Sequence, residues 1–546
     1  MGKTEGLFGN AESRDGSGSQ SCRKVVFKPT RRGEQYLLPP SLDELIGQGN
    51  LVRFIDAVVD RFDLSGLIEQ YKGGGASACH PATLLKVWLF GWCRRVYTSR
   101  PLAAALKRDV EFMWLAGEQT PSFVTLADFR RRLNGTIKDI FKEVVGLAIR
   151  AGIVRSEEIY IDHTKVQANA NRYRVVWRKS VEKYLSRAET ELDRLLELID
   201  RLNEEEEQES YEQPSMESLT PAMLDELIER VNQRVKSGEK ERGEATAEKK
   251  QLRRGKDRLE ARDRYRSKLK DLDGRNSMAK CDRESTAMMM KDRVTIRPGY
   301  NLGIASENEI VVGYDVSNNS NDSMSFKSVL EDARKNLGDK PKRVCADAGY
   351  GSIENYEHLR DEEIDCYVKY RGWDRDLKGK RRPYEPESFT YDEQTDEWIC
   401  GQGKRLSFVR SWQHTGKRTG HVDTRLRYQA DSNDCAACPV REECTRGTAR
   451  RLDISPAIRR YRRNALINLA SPMGKRMRSR RGVEVETPFG VQKQAYRFRR
   501  YHLRGITGAE IESGLFLAAF NLRRLHAVFL RFMMTGARPV PQIAPG

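Results

Sequence analysis

The apolar triplets Ile159, Tyr160, Ile161 and Val344, Cys345, Ala346 lie far apart in the chain. Each is followed at once by an aspartate, Asp162 in EEIYIDHTKVQANAN and Asp347 in KRVCADAGYGS. Runs of this length and composition are strand-like. Each aspartate is therefore expected where a strand leaves a sheet, which is where the functional groups of open α/β sheets gather. A third acid, Glu486 in VEVETPFGVQKQ, is expected to open a helix carrying Phe489 and Lys493 at i+3 and i+7 on its own face.

Two aspartates and a glutamate are hard oxygen ligands of the kind Mg²⁺ takes. A pair of such ions about 3.5–4 Å apart can stabilise the attacking and leaving oxygens of an in-line displacement at phosphorus. Taken singly, each acid reads more simply as a strand-end or solvated helix residue. The residues around them single them out. His163, next to Asp162, would point to the opposite side of the strand together with Lys165, which argues against a general base there. Asn169 and Asn171 are expected to order the following loop, and Tyr350, Asn301 and Lys493 to support the site.

The charge balance points to a polyanionic partner. The 546 residues carry a net charge of +18. Residues 450–504 hold 16 Lys or Arg against Asp453, Glu484 and Glu486, a local +13 that encloses the third acid. A cluster so unbalanced repels itself without phosphates nearby. Arg478, Arg480, Arg481, Lys493, Arg497, Arg499 and Arg500 are thus expected to contact DNA, mostly its backbone and so in a salt-dependent way. No apolar run is long enough for a membrane helix and Met1 opens no signal peptide, so the expectation is a cytoplasmic, nucleoid-associated protein without membrane contact.

Of ten cysteines, Cys435-x2-Cys438 with Cys444 downstream and Cys400 upstream could form a closed tetrahedral zinc site, with His414 or His421 as substitutes for a thiolate. The alternative is a set of unligated thiols.

Residues 1–36 read as a disordered tail. Residues 37–155 read as a helical domain, with Leu51, Phe54, Ile55, Val58 and Val59 at helical spacing, and likewise Leu84, Leu85, Val87, Trp88 and Leu89 after His80-Pro81. Residues 181–290 are charged and helical, with a stripe of Leu192, Leu195, Leu196, Leu198 and Ile199. They are expected to form an antiparallel helical hairpin, either a coiled-coil dimer arm or a solvated spacer. Residues 371–479 read as a β-rich segment that holds the cysteines, and Trp373, Trp398 and Trp412 read as its core in preference to base-stacking groups.

Beyond these readings, ID-T-K-ANAN-Y from Ile161, GYN from Gly299, ADAGYGS-EN from Ala346, VE-FG-K from Val485 and RG-GAE-L-AAFNLRRL from Arg504 resemble bacterial insertion-sequence transposases of the DDE group. Residues 42–133 resemble that group's N-terminal domain. The resemblance implies an α/β multidomain protein with an RNase H-like mixed-sheet core (residues 156–180, 291–370 and 480–530). A helical N-terminal domain would bind DNA ends or dimerise, and the helical hairpin and the β-rich segment would be insertions into the core. It implies Asp162, Asp347 and Glu486 as a triad holding two Mg²⁺ or Mn²⁺ ions, with Glu486 preferred over Glu484 for its Phe-Gly and Lys493. It implies strand cleavage at transposon ends, 3′-hydroxyl transfer into target duplex DNA, and a homodimer joining two ends. The chain departs from the pattern in lacking the Tyr that relatives carry ahead of the Glu, where it offers Arg478 and Arg481. A non-catalytic DNA-binding protein of this kind would have lost an acid, and all three are present. A zinc-dependent regulator leaves ADAGYGS and VETPFG unexplained, and a nuclease that cleaves without transfer would use the same site.

Overall fold

The computed structural model describes residues 41–71, 77–205, 214–380, 383–416 and 420–535. The expected tail, residues 1–36, lies outside them. The chain divides into residues 1–45 and 46–546. In the first unit the described part is a short turn in which the Glu44 amide donates to Ser41 O at 3.2 Å.

The second unit is mixed α/β. Its larger sheet contains β1 (Glu158–Gln167), β4 (Thr286–Met289), β5 (Ile296–Glu307), β6 (Ile310–Ser317), β7 (Arg343–Ala346) and β8 (Asp365–Val368), and a separate two-stranded ribbon pairs β2 (Val175–Trp177) with β3 (Ser277–Ala279). The sheet order is β4-β5-β1-β7-β8, with β6 also pairing β5. β1 runs antiparallel to β5 and parallel to β7, which is parallel to β8. Parallel strands need both faces covered, and Val344, Cys345 and Ala346 are buried accordingly. The helix Phe326–Leu337 lies so close to β6 that a Cβ on Gly313 would come 2.5 Å from the Ala333 amide nitrogen.

The N-terminal part is helical, as its periodicity indicates. Asn50 caps Leu51–Val59 through its side chain, and His80 caps Pro81–Cys93 with Pro81 in the first turn. Lys86, buried on the second helix, reaches Asp56 and Asp60, both at 2.6 Å. These helices and the large sheet share one hydrophobic core. The link is the helix Gly505–Thr535, buried along most of its first half. Its Asn521 side chain accepts from the Val311 amide of β6 at 2.9 Å and donates to Val311 O at 2.7 Å. Its buried Glu512 pairs with Arg130 at 3.1 Å.

Between β2 and β3 the described chain forms three helices, Arg178–Glu204, Pro221–Ser237 and Arg242–Leu272, in place of the expected two-arm hairpin. Leu192, Leu195, Leu198 and Ile199 bury against Leu224, Leu227 and Leu252 in a separate core. The third helix is rich in Lys and Arg and carries few apolar residues, so no stripe in the sequence sets it apart from the second. A second sheet orders β13-β12-β11-β10-β9, built from β9 (Thr390–Asp392), β10 (Glu397–Ile399), β11 (Arg405–Thr415), β12 (Val422–Ala430) and β13 (Arg451–Ile454). The β-rich expectation ends there: residues beyond β13 form the helices Pro456–Ala470 and Pro472–Arg481, capped by Ser455 and Ser471 with a proline in each first turn. Trp398 is buried in the core of the second sheet as expected, whereas Trp373 is buried in the large core instead. Trp412 is half-buried, with Arg410 and Arg427 over its ring at 5.5 and 5.1 Å.

The contact at Gly313 is unforgiving. Gly313→Ala should lower unfolding stability by about 1–3 kcal/mol through forced separation of helix and strand. A denaturant midpoint equal to wild type would show that the helix can shift without cost.

Candidate functional site

The parallel register of β1 and β7 ends with Ile161 opposite Ala346. The next residues on the two strands are Asp162 and Asp347, which places the two acids side by side. β7 stops at this point, so Asp347 lies at a strand end as expected. Asp162 does not: β1 continues to Gln167, held by antiparallel pairing to β5 with Asp162 opposite Ile304. The polar stretch after Asp162 hid this extension, because its backbone partner is a distant strand.

Asp162 Oδ1 accepts from the His163 amide at 2.8 Å and from the Tyr350 hydroxyl at 3.3 Å, and Arg481 lies 3.6 Å from Oδ2. Burial raises the Asp162 carboxyl above the ordinary carboxylate range, the His163 amide and Arg481 oppose that, and the charges of Asp347 and Asp322 add to it. Asp322, in the loop after β6, is thus a third acid in this neighbourhood. It accepts from Asn301 Nδ2 at 2.8 Å. His163 points to the other face, where a Cβ on Gly303 would meet its Nε2 at 2.3 Å. Its Nδ1 shares a hydrogen bond with the Tyr350 hydroxyl at 2.7 Å, and burial lowers its pKa to about 4. The imidazole is therefore neutral near pH 7 and holds Tyr350 in place. Asn355 fixes the same turn by donating to Tyr350 O at 3.0 Å.

Glu486 does not open a helix. It lies within a nearly continuous helical stretch from Pro472 to Ala495 that contains π-helical turns at Gly482–Glu486 and Val491–Ala495. Just beyond the first, Pro488 has no N–H to give Glu484 O, which accepts instead from Ser306 Oγ at 3.1 Å. Arg481 directly precedes this π stretch and Glu486 ends it. Glu486 is exposed and makes no hydrogen bond or ion pair among the described residues. The rival Glu484 is buried, accepts from the Glu309 amide at 2.7 Å and pairs with Arg480 at 2.8 Å; its burial pushes its pKa up to about 7. That carboxylate anchors the helix to the loop between β5 and β6.

Lys493 bonds Thr164 Oγ1, two residues beyond Asp162. Arg499 is exposed and donates to Lys493 O at 3.0 Å, Arg500 is exposed, and Arg497 is exposed with a left-handed φ of 55°. Arg478 is occupied elsewhere, over the Trp373 ring at 4.5 Å, and Arg480 is taken by Glu484. Asn169 does order its loop, donating to His502 O at 2.6 Å, and Asn171 accepts from the Tyr173 amide at 3.0 Å.

Cys400, Cys435, Cys438 and Cys444 share one neighbourhood, where the other three thiols add to the rise that burial causes in Cys444. Cys400 Sγ accepts from the Lys404 amide at 3.3 Å and Cys435 Sγ from the Arg450 amide at 3.4 Å. No three of the four sulfurs lie within 4.8 Å of one another; among the described residues only Glu205, Glu244 and Glu248 bring three metal-ligating atoms that close. Lys240, 2.9 Å from Glu205 and 2.6 Å from Glu248, and Arg234, 2.8 Å from Glu205, already offset much of that acidic group's charge. His421 is committed to Glu357 at 2.7 Å.

Residues 399–526 match a family model described as a transposase DDE domain, and residues 40–132 match one described as a transposase domain. Both models describe transposases. Together they indicate an insertion-sequence transposase of the DDE group, a family concerned with DNA transposition. The first match takes in Glu486, Lys493 and the four cysteines and leaves Asp162 and Asp347 outside. No curated protein matches the chain. Among the described residues no helix is long and apolar enough to cross a membrane.

Lys493 provides a pH test. Burial, with Lys291 and Arg499 adding repulsion, lowers its pKa from 10.5 to about 8, against the attraction of Asp162. The unfolded chain holds this proton up to a higher pH, so the cost of the buried charge is present below about 8 and is relieved as pH rises toward 10.5. Lys493→Met should therefore be more stable than wild type at neutral pH, and the gap should close through that window in denaturant titrations.

Proposed function

We propose that this protein cleaves DNA strands at the ends of a mobile element and joins the released 3′-hydroxyl to target duplex DNA, using Asp162, Asp347 and Glu486 on an RNase H-like core. The observation that carries this reading is the register that sets Asp162 beside Asp347, with Arg481 on the helix that bears Glu486.

The donor set fits hard divalent cations: three acids offer only oxygen, and a single arginine within ion-pair distance leaves most of the negative charge uncompensated. Bound magnesium or manganese would neutralise the charge that builds on the phosphate as the leaving oxygen departs. Asp162 and Asp347 would share one ion, and Glu486 would complete the second site. Tyr350, backed by neutral His163, keeps the Asp162 carboxylate in one orientation. Arg481 and Lys493 attract the phosphodiester to the same face, and Arg497, Arg499 and Arg500 extend the contact along the backbone. Arg478 and Arg480, tied to Trp373 and Glu484, support the helix more than they meet DNA. The helical N-terminal region binds DNA ends or a second copy, since joining two ends requires a pair of sites. The three-helix segment and the small sheet read as insertions into the core.

With purified full-length protein, Mg²⁺ and a duplex carrying the element's own end, nicking and joining to a plasmid are expected. Asp162→Ala, Asp347→Ala or Glu486→Ala should each reduce turnover at least about a thousandfold, roughly 4 kcal/mol of barrier, while end binding stays within a few-fold. Full activity in Asp162→Ala would overturn the assignment; nicking without joining would leave a nuclease.

Structural zinc at the four cysteines is supported by their shared neighbourhood and by the two N–H···S bonds, which suit thiolate ligands, although the sulfurs stand wider apart than a closed tetrahedral site holds them. About one zinc per chain is expected by elemental analysis, with Cys435→Ser losing it and melting at lower temperature. Four freely reactive thiols in native, metal-free protein would argue for unligated cysteines instead.

A further inference from the structure

A concavity of about 460 Å³ opens where β1 ends, lined by Arg172, Arg297, Arg500 and Arg504 with Gln167 and Asn169 among its amides. No carboxylate lines it. Arg500 donates to Asn169 Oδ1 at 3.2 Å and Ala170 O at 3.3 Å, Arg504 to Asn169 O at 3.3 Å, and Arg297 to Gln167 Oε1 at 3.4 Å. Arg172 leans over the ring of Tyr173 at 4.5 Å. All four thus make their hydrogen bonds and ring contacts to neutral groups, and among the described residues Asp292 is the one carboxylate whose charge reaches any of them, at Arg297. Four guanidinium groups around one hollow repel one another unless an anion enters. Their planar forks suit phosphate oxygens, which accept two parallel N–H bonds.

The hollow is tied to the proposed catalytic strand. Residues after β1 pair with the segment around Arg500: the Gln167 amide donates to Arg499 O at 3.1 Å and the Tyr501 amide to Gln167 O at 2.9 Å. Gln167 stands five positions beyond Asp162 on one strand, roughly 16 Å at about 3.3 Å per residue. Duplex DNA carries a phosphate per strand about every 3.4 Å of its axis, so the hollow falls within about five base pairs of a phosphodiester held at Asp162. Lys493 and Arg499 lie between the two and continue the positive surface.

We propose that this hollow is a phosphate subsite that grips the DNA backbone within about five base pairs of the cut. It rests on the DNA reading above.

Arg172 and Arg297 are suited to test it because their hydrogen bonds and ring contacts are to neutral groups. The full chain would be titrated with a labelled duplex carrying the element's end, and with an unrelated duplex, across a range of salt without divalent metal. The R172A/R297A variant should lose about 1.8 from the slope of log affinity against log salt, about 0.9 per phosphate, on both duplexes. R172K/R297K should recover most of it, and melting temperatures matching wild type would exclude unfolding. Neutral methylphosphonates placed singly along the strand should weaken wild type at one or two positions near five base pairs from the cut and leave R172A/R297A indifferent there. An unchanged slope, or equal sensitivity of both proteins at every position, overturns the subsite while the DNA reading stands. Inorganic phosphate raising the melting temperature of wild type alone, with no change in the DNA slope, would assign the hollow to free phosphate and overturn it too. Wild type that binds neither duplex would bring down the DNA reading and the subsite with it.

Discussion

The pairing of Ile161 with Ala346 is the contact on which the site depends. A shift of one residue in this parallel ladder would turn one aspartate to the opposite face of the sheet, and the two acids would no longer share a side. Nothing in the local chemistry favours bringing them together, since both are negative and Asp162 is largely enclosed. The ladder itself must be held, and it is held by burial on both faces. The helix Phe326–Leu337 presses on β6 at Gly313, and Glu484 ties the Glu486 helix to the loop between β5 and β6. The tyrosine, the arginine and the single backbone amide around Asp162 then offset part of the repulsion.

Much of this was readable from residue types. An apolar triplet running into an aspartate marks a buried strand meeting a polar end, and that held for Asp347 without change. The continuation of β1 past Asp162 was not readable, because His163, Thr164 and Lys165 belong to a strand only through their pairing with Gly303, Leu302 and Asn301. The π turns were invisible for a related reason. Pro488 announces a missing hydrogen bond at Glu484 O, but Ser306, which serves that carbonyl, is brought there only by the fold. Asp322 lies in a polar loop of Asn, Ser and Asp that reads as solvent-exposed turn, and only the fold brings it toward Asp162.

The basic segment shows how little charge counting says about role. Arginines a few positions apart serve as a packing group over Trp373, as the partner of a buried glutamate and as a neighbour of Asp162. The chain carries them in one run because the helix they sit on has three different surroundings. Burial separates these uses: the arginines that hold the helix in place are those whose charge is met by the protein.

The ribbon of β2 and β3 has a consequence for how the chain finds its fold. About a hundred residues separate these strands, yet Val175 sits opposite Ala279 and the helices between them bury their own apolar stripe. Once that segment has collapsed, β1 and β5 are joined in effect by a short tether instead of a long loop. Loop entropy grows with the logarithm of length, so the shortcut lowers the cost of bringing them together by about 1 kcal/mol. The excursion that looks like a burden on the sheet is therefore nearly neutral to its assembly, which fits a fold able to carry large additions at that point.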